Sequence, residues 1–560
     1  MNKIYKVIWN IQLGCWQAVS ELAKNHSGAT KSITTSTIIN KNGASTSRLG
    51  KTLSALLLFS LALLPLSIHA AIQNNALPTG GTVTAGTAQI VQNGNTLNIQ
   101  QNSQNLSSNW NTFNIGQDAT VNFNQPNQSS VAINHVLDPN ASQIMGRLNA
   151  NGQVFLLNPN GVVFSKTAQV NVGGIVASTL NLTDQDLQNG QYTLKGDANS
   201  NASVENHGTI HTLQGGTVAL IAPNVRNTGS INTPNGITHL SAASQVTLAL
   251  QDGSLTQYQV DQGVLQGLVD NGGAIIANNG AVYLTAKAKG SLSKAVINHS
   301  GIIEANRVTQ NAKGEIVLLG DMQNGETHIS GVLKAEGKNG QNGGFIETSA
   351  ASVKVADGAQ VSTQSDTGQT GTWLIDPNDF SIAGTAGDIS GATLGANLAS
   401  SNVTIQSDNG ANGTNGNIYV NDSVSWNSNT ALTLDAKNDI QINRDINATS
   451  GGKLNLKYGQ ASSNGGSSSY YLNNGAKVNL SAGQNFSTQK GSAGPATNYT
   501  VITTLGAAGS STQTDLQGIN GNLTGNYVLG ADIDASATSG WNSGAGFKPV
   551  GNYPTSFSGK

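Results

Sequence analysis

Thiol chemistry is almost missing from this chain: its single cysteine, Cys15, stands near the N-terminus, so no disulfide can staple the body. Charge is scarce as well. Only 10% of the residues are charged, against about 25% in ordinary soluble domains. The net charge of -2 gives no electrostatic case for nucleic acid or an anionic membrane. Aromatic side chains make up 5%. Disorder normally combines low hydrophobicity with high net charge, whereas here the charge is near zero and the apolar residues are patterned. What is plentiful is Gly, at 67 residues, together with Asn, Ser and Thr, small neutral groups suited to turns and pleated surfaces.

An apolar stretch runs from Leu53 to Ile68, preceded by Lys41, Arg48 and Lys51 and followed by His69-Ala70-Ala71. It reads as a signal peptide handled by the Sec machinery and cut by signal peptidase between Ala70 and Ala71. At roughly 16 residues it is short for a bilayer span, and Pro65 sits near its end. With Cys15 in this leader, the mature body has no thiol that could cross-link early in an oxidising periplasm. The segment upstream, from Met1-Asn2-Lys3-Ile4-Tyr5-Lys6 through Trp16 to Lys24, exceeds what a plain signal peptide needs. It resembles the extended signal peptide region of large Gram-negative proteins of the type V secretion class.

Beyond the leader a word recurs: apolar, variable, Asn, variable, Gly, variable, Ile. It spans Val204 to Ile210, Val225 to Ile231 and Val269 to Ile275, and a fourth copy, Ile297 to Ile303, carries His299 in the Asn slot. A second word, Gly with alternating apolar residues, appears at Gly216-Val218-Leu220, Gly280-Val282-Leu284 and Gly314-Ile316-Leu318. Both have strand periodicity. Closest copies lie roughly 20 residues apart, a solenoid period that accommodates three short strands and their turns. The fold expected is therefore all-β, a right-handed parallel β-helix. Asn206, Asn227 and Asn271 are expected to stand over one another at a corner, tolerating left-handed backbone and extending a side-chain ladder, with the following glycines permitting the turn. Were all of the mature chain to coil at this period, the rod would hold on the order of 23 coils and reach about 110 Å. From Gly387 to about Gly494 the strand words persist in a looser register.

Gly152-Gln153-Val154-Phe155-Leu156-Leu157-Asn158-Pro159-Asn160-Gly161-Val162, followed by Val172-Gly173-Gly174-Ile175-Val176-Ala177-Ser178-Thr179, resembles the secretion domain of two-partner secretion exoproteins, in the filamentous haemagglutinin and high-molecular-weight adhesin branch. Gly343-Gly344-Phe345-Ile346-Glu347-Thr348-Ser349 and Trp373-Leu374-Ile375-Asp376-Pro377-Asn378 are similar to words that follow that domain. Asp138-Pro139-Asn140-Ala141 only echoes the Asn-Pro-Asn-Leu word of the haemolysin-type branch. The resemblance implies an outer-membrane β-barrel transporter with periplasmic binding domains as partner. Its domains would be a leader over 1–70, a secretion domain over 71–320, a continuing shaft over 321–495 and the start of a repeated adhesin module over 496–560, cut short at Lys560. Asn158-Pro159-Asn160-Gly161, the candidate secretion motif, suits a type I turn. A turn that nucleates the helix and a turn recognised by the transporter look alike in sequence.

No catalytic constellation stands out, and the chain is read as neither an enzyme nor a cofactor carrier. Alternation would put Asp532 and Asp534 on one face of a short strand or turn with no nearby base. His207 and His211 have helical metal spacing on what reads as a strand. The leading function is a surface adhesin for a host-cell receptor or glycan. The stalk of a contact-dependent toxin and a haem-acquisition exoprotein are the other classes. The isolated mature chain is expected to show β-sheet circular dichroism and elongated small-angle scattering; a helical spectrum or a compact particle would overturn this reading.

Overall fold

The recurring words become stacked strands. Val204, Val225, Val269 and Ile297 lie side by side in parallel register, as do Ile210, Ile231, Ile275 and Ile303, and all eight are fully buried. Each fully buried Val or Ile is worth about 1.5–3 kcal/mol, so these columns are the principal source of cohesion. The computed structural model describes residues 5–10, 15–20, 72–182, 191–251, 254–408 and 414–560. The chain forms two units, 1–69 and 70–560. In the first, Tyr5–Asn10 pairs antiparallel with Cys15–Ser20. The proposed cleavage residues Ala70 and Ala71 lie outside the described residues.

The second unit is a parallel β-helix whose coils contribute to three sheets. A complete coil runs Thr217–Ala222, Asn224–Asn227 and Ser230–Asn232, then returns at Ile237–Ala242. The first position builds a long sheet. Among the described residues fourteen of its strands pair in parallel from Asn105–Trp110 to Gly483–Lys490, which is roughly 60 Å of stack. That is shorter than an unbroken coil of the whole mature chain, because loops enlarge many turns: Val218 pairs with Thr238, but Val282 pairs with Ile316 and Ile316 with Ile346.

The asparagine corner forms, though for a different reason than backbone tolerance. Asn206 Nδ2 donates to Asn227 Oδ1 at 2.8 Å, and Asn227 Nδ2 to Asn271 Oδ1 at 2.7 Å. Asn271 Nδ2 then donates to His299 Nδ1 at 3.1 Å, which leaves His299 Nε2 to donate to the Val332 carbonyl at 3.1 Å. None of these residues has a positive φ. They are strand residues whose amides face inward, and a buried amide must be bonded. The next glycines are also needed without a left-handed backbone: a Cβ on Gly229 would sit 2.1 Å from the Gly208 carbonyl oxygen, and one on Gly273 2.2 Å from that of Gly229. Close stacking, and not turn freedom, selects Gly there. A second, outward amide ladder runs along the third sheet, from Asn149 to Asn122 and Asn122 to Asn98, both at 3.0 Å.

Thr82–Ala85 and Ala88–Asn93 at one end and Thr497–Ile502 at the other pair antiparallel with the coils, and between these ends an added sheet and a helix depart from the plain solenoid. Gln191–Lys195, Gln245–Gln251 and Ser254–Gln262 form an antiparallel sheet outside the coil. Its Tyr192, Leu194, Val246 and Leu248 bury Ile133, Phe155, Val176 and Ala219 on the outer face of the long sheet. Second, Gly391–Leu398 is an α-helix, capped by Ser390 Oγ accepting from Thr393 N at 3.2 Å, a strong N-cap. It replaces a third-sheet strand. Asn397 imitates the missing edge, its Oδ1 accepting from Val361 N at 2.6 Å and its Nδ2 donating to Ala359 O at 3.1 Å. On the other side Gly391 and Gly395 lie so close to the backbone of Ser423 and Ser425 that a Cβ would come within 2.1 and 2.2 Å of their carbonyls.

Burial lowers the His299 pKa to about 4 from its ordinary 6.5. Above pH 6.5 both folded and unfolded states hold the neutral ring. As pH falls from 6.5 toward 4 the unfolded chain takes up a proton that the folded chain refuses, so stability is lost, on the order of 3 kcal/mol. His299→Asn would complete the amide ladder and remove that loss. Urea unfolding at pH 7.5 and 4.5 should show a larger drop for the wild type than for the variant.

Candidate functional site: two stacked turns

Asn158-Pro159-Asn160-Gly161 connects Gln153–Leu157 of the long sheet to Val162–Phe164 of the second. Gly161 N donates to Asn158 O at 2.9 Å, closing the turn, and Asn160 N donates to Asn158 Oδ1 at 2.9 Å. Asn is favoured in this place because its side chain can copy a backbone turn. Gly161 takes φ +119, and a Cβ there would lie 2.9 Å from the Ser203 carbonyl, so only Gly fits.

The turn below it is Asp138-Pro139-Asn140-Ala141, the echo noted in the sequence. Asp138 Oδ1 accepts from Asn140 N at 2.9 Å, the same side-chain turn with Asp in the Asn role. The two turns are bonded coil to coil. Asn158 Nδ2 donates to Asn140 O at 2.9 Å and to Ser142 Oγ at 3.0 Å, while Asn160 Nδ2 donates to Asp138 O at 2.9 Å. Asn158 is fully buried, whereas Pro159 and Asn160 are exposed. The arrangement thus gives the residues separate tasks: Asn158 locks one coil to the preceding one, and Pro159 with Asn160 presents a rigid outer corner.

The remaining polar residues singled out in the sequence are dispersed. His207 Nδ1 lies 2.6 Å from Thr228 Oγ1 and its Nε2 3.0 Å from Glu205 Oε2, while His211 stands on the separate strand Thr209–Thr212. Among the described residues no three His, Cys, Asp or Glu side chains are grouped for a metal. Asp532 does have a base beside it, contrary to the sequence reading: Lys477 Nζ donates to its Oδ2 at 2.5 Å, brought there by the fold from 55 positions away. Asp534 instead accepts from Ser536 N at 2.9 Å. Asp376, in the Trp373 to Asn378 word, has its carboxyl pushed up to about 6 by burial and by the nearby Asp408 and Glu347.

Residues 74–335 match the TPS secretion domain, and residues 1–42 match the extended signal peptide of the type V secretion system. A heme/hemopexin-binding protein of Haemophilus influenzae strain Rd is 36% identical over 254 residues, covering 44% of this chain and 27% of the relative. A second Haemophilus influenzae protein of that name is 30% identical over 262 residues, covering 42% of this chain and 28% of the relative. The chain thus spans little more than a quarter of the length of these relatives. The crystal structure of the HMW1 secretion domain from Haemophilus influenzae shares the fold at 23% identity, with a TM-score of 0.50 over 72% of this chain and 98% of that one.

Asn158→Ala strips a buried turn of three side-chain hydrogen bonds and should destabilise the folded chain by about 2–4 kcal/mol, with less protein reaching the medium. Asn160→Ala loses one bond at an exposed corner and should cost under about 1 kcal/mol. Urea unfolding and immunoblots of culture supernatant would check both; an Asn158→Ala, Asn160→Ala chain secreted and folded like the wild type would remove the role of the turn.

Proposed function

We propose that this chain, which carries a TPS secretion domain and an extended type V signal peptide and so belongs to the exoproteins of two-partner secretion, works at the bacterial surface as an adhesin. It is a secreted Gram-negative protein associated with the outer membrane, and its export partner is an outer-membrane transporter. In this proposal the transporter's periplasmic domains read the N-terminal region, with Pro159 and Asn160 at the recognised corner. The observation that carries the adhesin reading is the long sheet: parallel pairing continues from the secretion domain to Gly483–Lys490, beyond the matched 74–335. Outward side chains are thereby held in fixed columns on a stiff support, which suits contact with a surface better than turnover of a substrate. The chain acts by binding, without catalysis.

A second reading is haem acquisition, supported by the two relatives named for heme and hemopexin. Purified chain from residue 71 onward should compete with bacteria for attachment to epithelial cells, lowering adherence several-fold. Undiminished adherence combined with capture of haem-loaded hemopexin on a sensor surface would decide for the second reading.

A further inference from the structure

We propose that the groove beside the outer antiparallel sheet is a binding site for a neutral oligosaccharide. The proposal deepens the adhesin reading and rests on it. The outer sheet covers the long sheet fully as far as the Ala219 coil, and beyond it Tyr258 reaches His239 and Ser241. In the next coils the same outward column continues with His239 and Tyr283, and these form the floor of an open cavity of about 660 Å³, within the range of small-ligand sites. Gln257 to Val260 form one wall and Leu319 to Met322 the other.

The floor is aromatic and rigid. His239 stacks on Tyr258 at 3.8 Å and 12°, and on Tyr283 at 4.9 Å and 16°, while Lys313 lies 5.5 Å from the Tyr283 ring centre. Tyr258 hydroxyl donates to Ser241 Oγ at 2.7 Å, and Tyr283 hydroxyl to Glu315 Oε2 at 2.5 Å. Aromatic carbon beside fixed hydroxyl, amide and ammonium groups is the mixture that a sugar needs, with C–H faces for the rings and hydroxyls for the polar rim. Gln257, Gln259 and Thr285 supply that rim.

Charge selects a neutral ligand. Lys287 spends its ammonium on the carbonyls of Val260 and Asp261 at 3.2 and 2.9 Å, and Lys313 is matched by Glu315 at 4.0 Å. Asp321 accepts from the backbone of Ala288, Gln323 and Asn324. The two ammonium groups are balanced by the carboxylates of Glu315 and Asp321, so the groove carries no net charge to draw in a sulfate or sialate. One polar atom is left over. His239 is 6% exposed and its Nδ1 has no hydrogen-bond partner; burial holds the ring neutral, with its pKa lowered to about 3. Stacked between Tyr258 and Tyr283, the neutral ring stiffens the floor beneath the groove.

The mature chain from residue 71 onward would be titrated with lacto-N-neotetraose and maltohexaose as neutral probes, and with sialyllactose and a heparin hexasaccharide as anionic ones, by calorimetry and chemical-shift perturbation. A neutral probe should bind, and Tyr283→Ala and Gln257→Ala should each weaken it at least tenfold. Asn149→Ala, on the third sheet, should not. Should Tyr283→Ala fail to fold, Gln257→Ala, at an exposed position, carries the test. Binding of neither neutral probe at millimolar concentration, binding of the anionic probes alone, or equal binding by wild type and Gln257→Ala would overturn the proposal. If the wild type and Gln257→Ala block bacterial attachment equally well, the groove fails while the adhesin reading stands.

Discussion

Parallel backbone pairing from one coil to the next fixes a spacing of about 4.8 Å, and every other feature of the molecule answers to it. At that distance identical residues in successive coils touch, so inner Val, Ile and Leu merge into columns and inward amides can reach one another. The same distance forbids any side chain where two corners pass backbone to backbone, as at Gly208, Gly229 and Gly273. The abundance of glycine in the chain is thus partly a packing requirement. It is not simply a sign of loose loops.

How legible this was depends on how local each interaction is. The inner columns could be read because period-two alternation and a repeated word of fixed length encode them directly: Val204, Val225, Val269 and Ile297 are buried as their shared position implies. His299 kept the Asn slot for a physical reason, since one ring nitrogen accepts where an amide oxygen would. The outer antiparallel sheet escaped notice, yet it left a trace. Gln153–Leu157 and Thr217–Ala222 are buried at every residue, a continuous apolar run that signals cover on both faces. Glu315–Leu319 alternates again where the cover ends. The helix at Gly391–Leu398 was obscured by its glycines, although Leu394 and Leu398 have helical spacing and Ser390 is a good cap. The Lys477 to Asp532 contact has no local signature at all.

At the candidate site, the sequence identified the turn but not its partner. Asn158 depends on Asn140, within the word that the sequence showed only as an echo, and on Ser142 just after it, both from the preceding coil. Stacking makes the two words one unit, and the Asp in the lower turn does the work of the Asn in the upper. Such a unit also favours ordered folding of the stack. The bonds that close each turn are local in sequence and can form early, and the bonds between turns then set the register for the coil that follows.

The helix at Gly391–Leu398 gives the stack a seam. The second and third sheets end at Ser352–Val355 and Gln360–Ser362, and their successors begin anew at Phe380–Ile382 and Val424–Asn427. Only the long sheet carries strand pairing across, through Thr372–Asp376 and Asn402–Gln406. Pulled along its length, the stack would therefore part at this seam before any complete coil unravels, leaving the last proximal edge still sealed by Asn397.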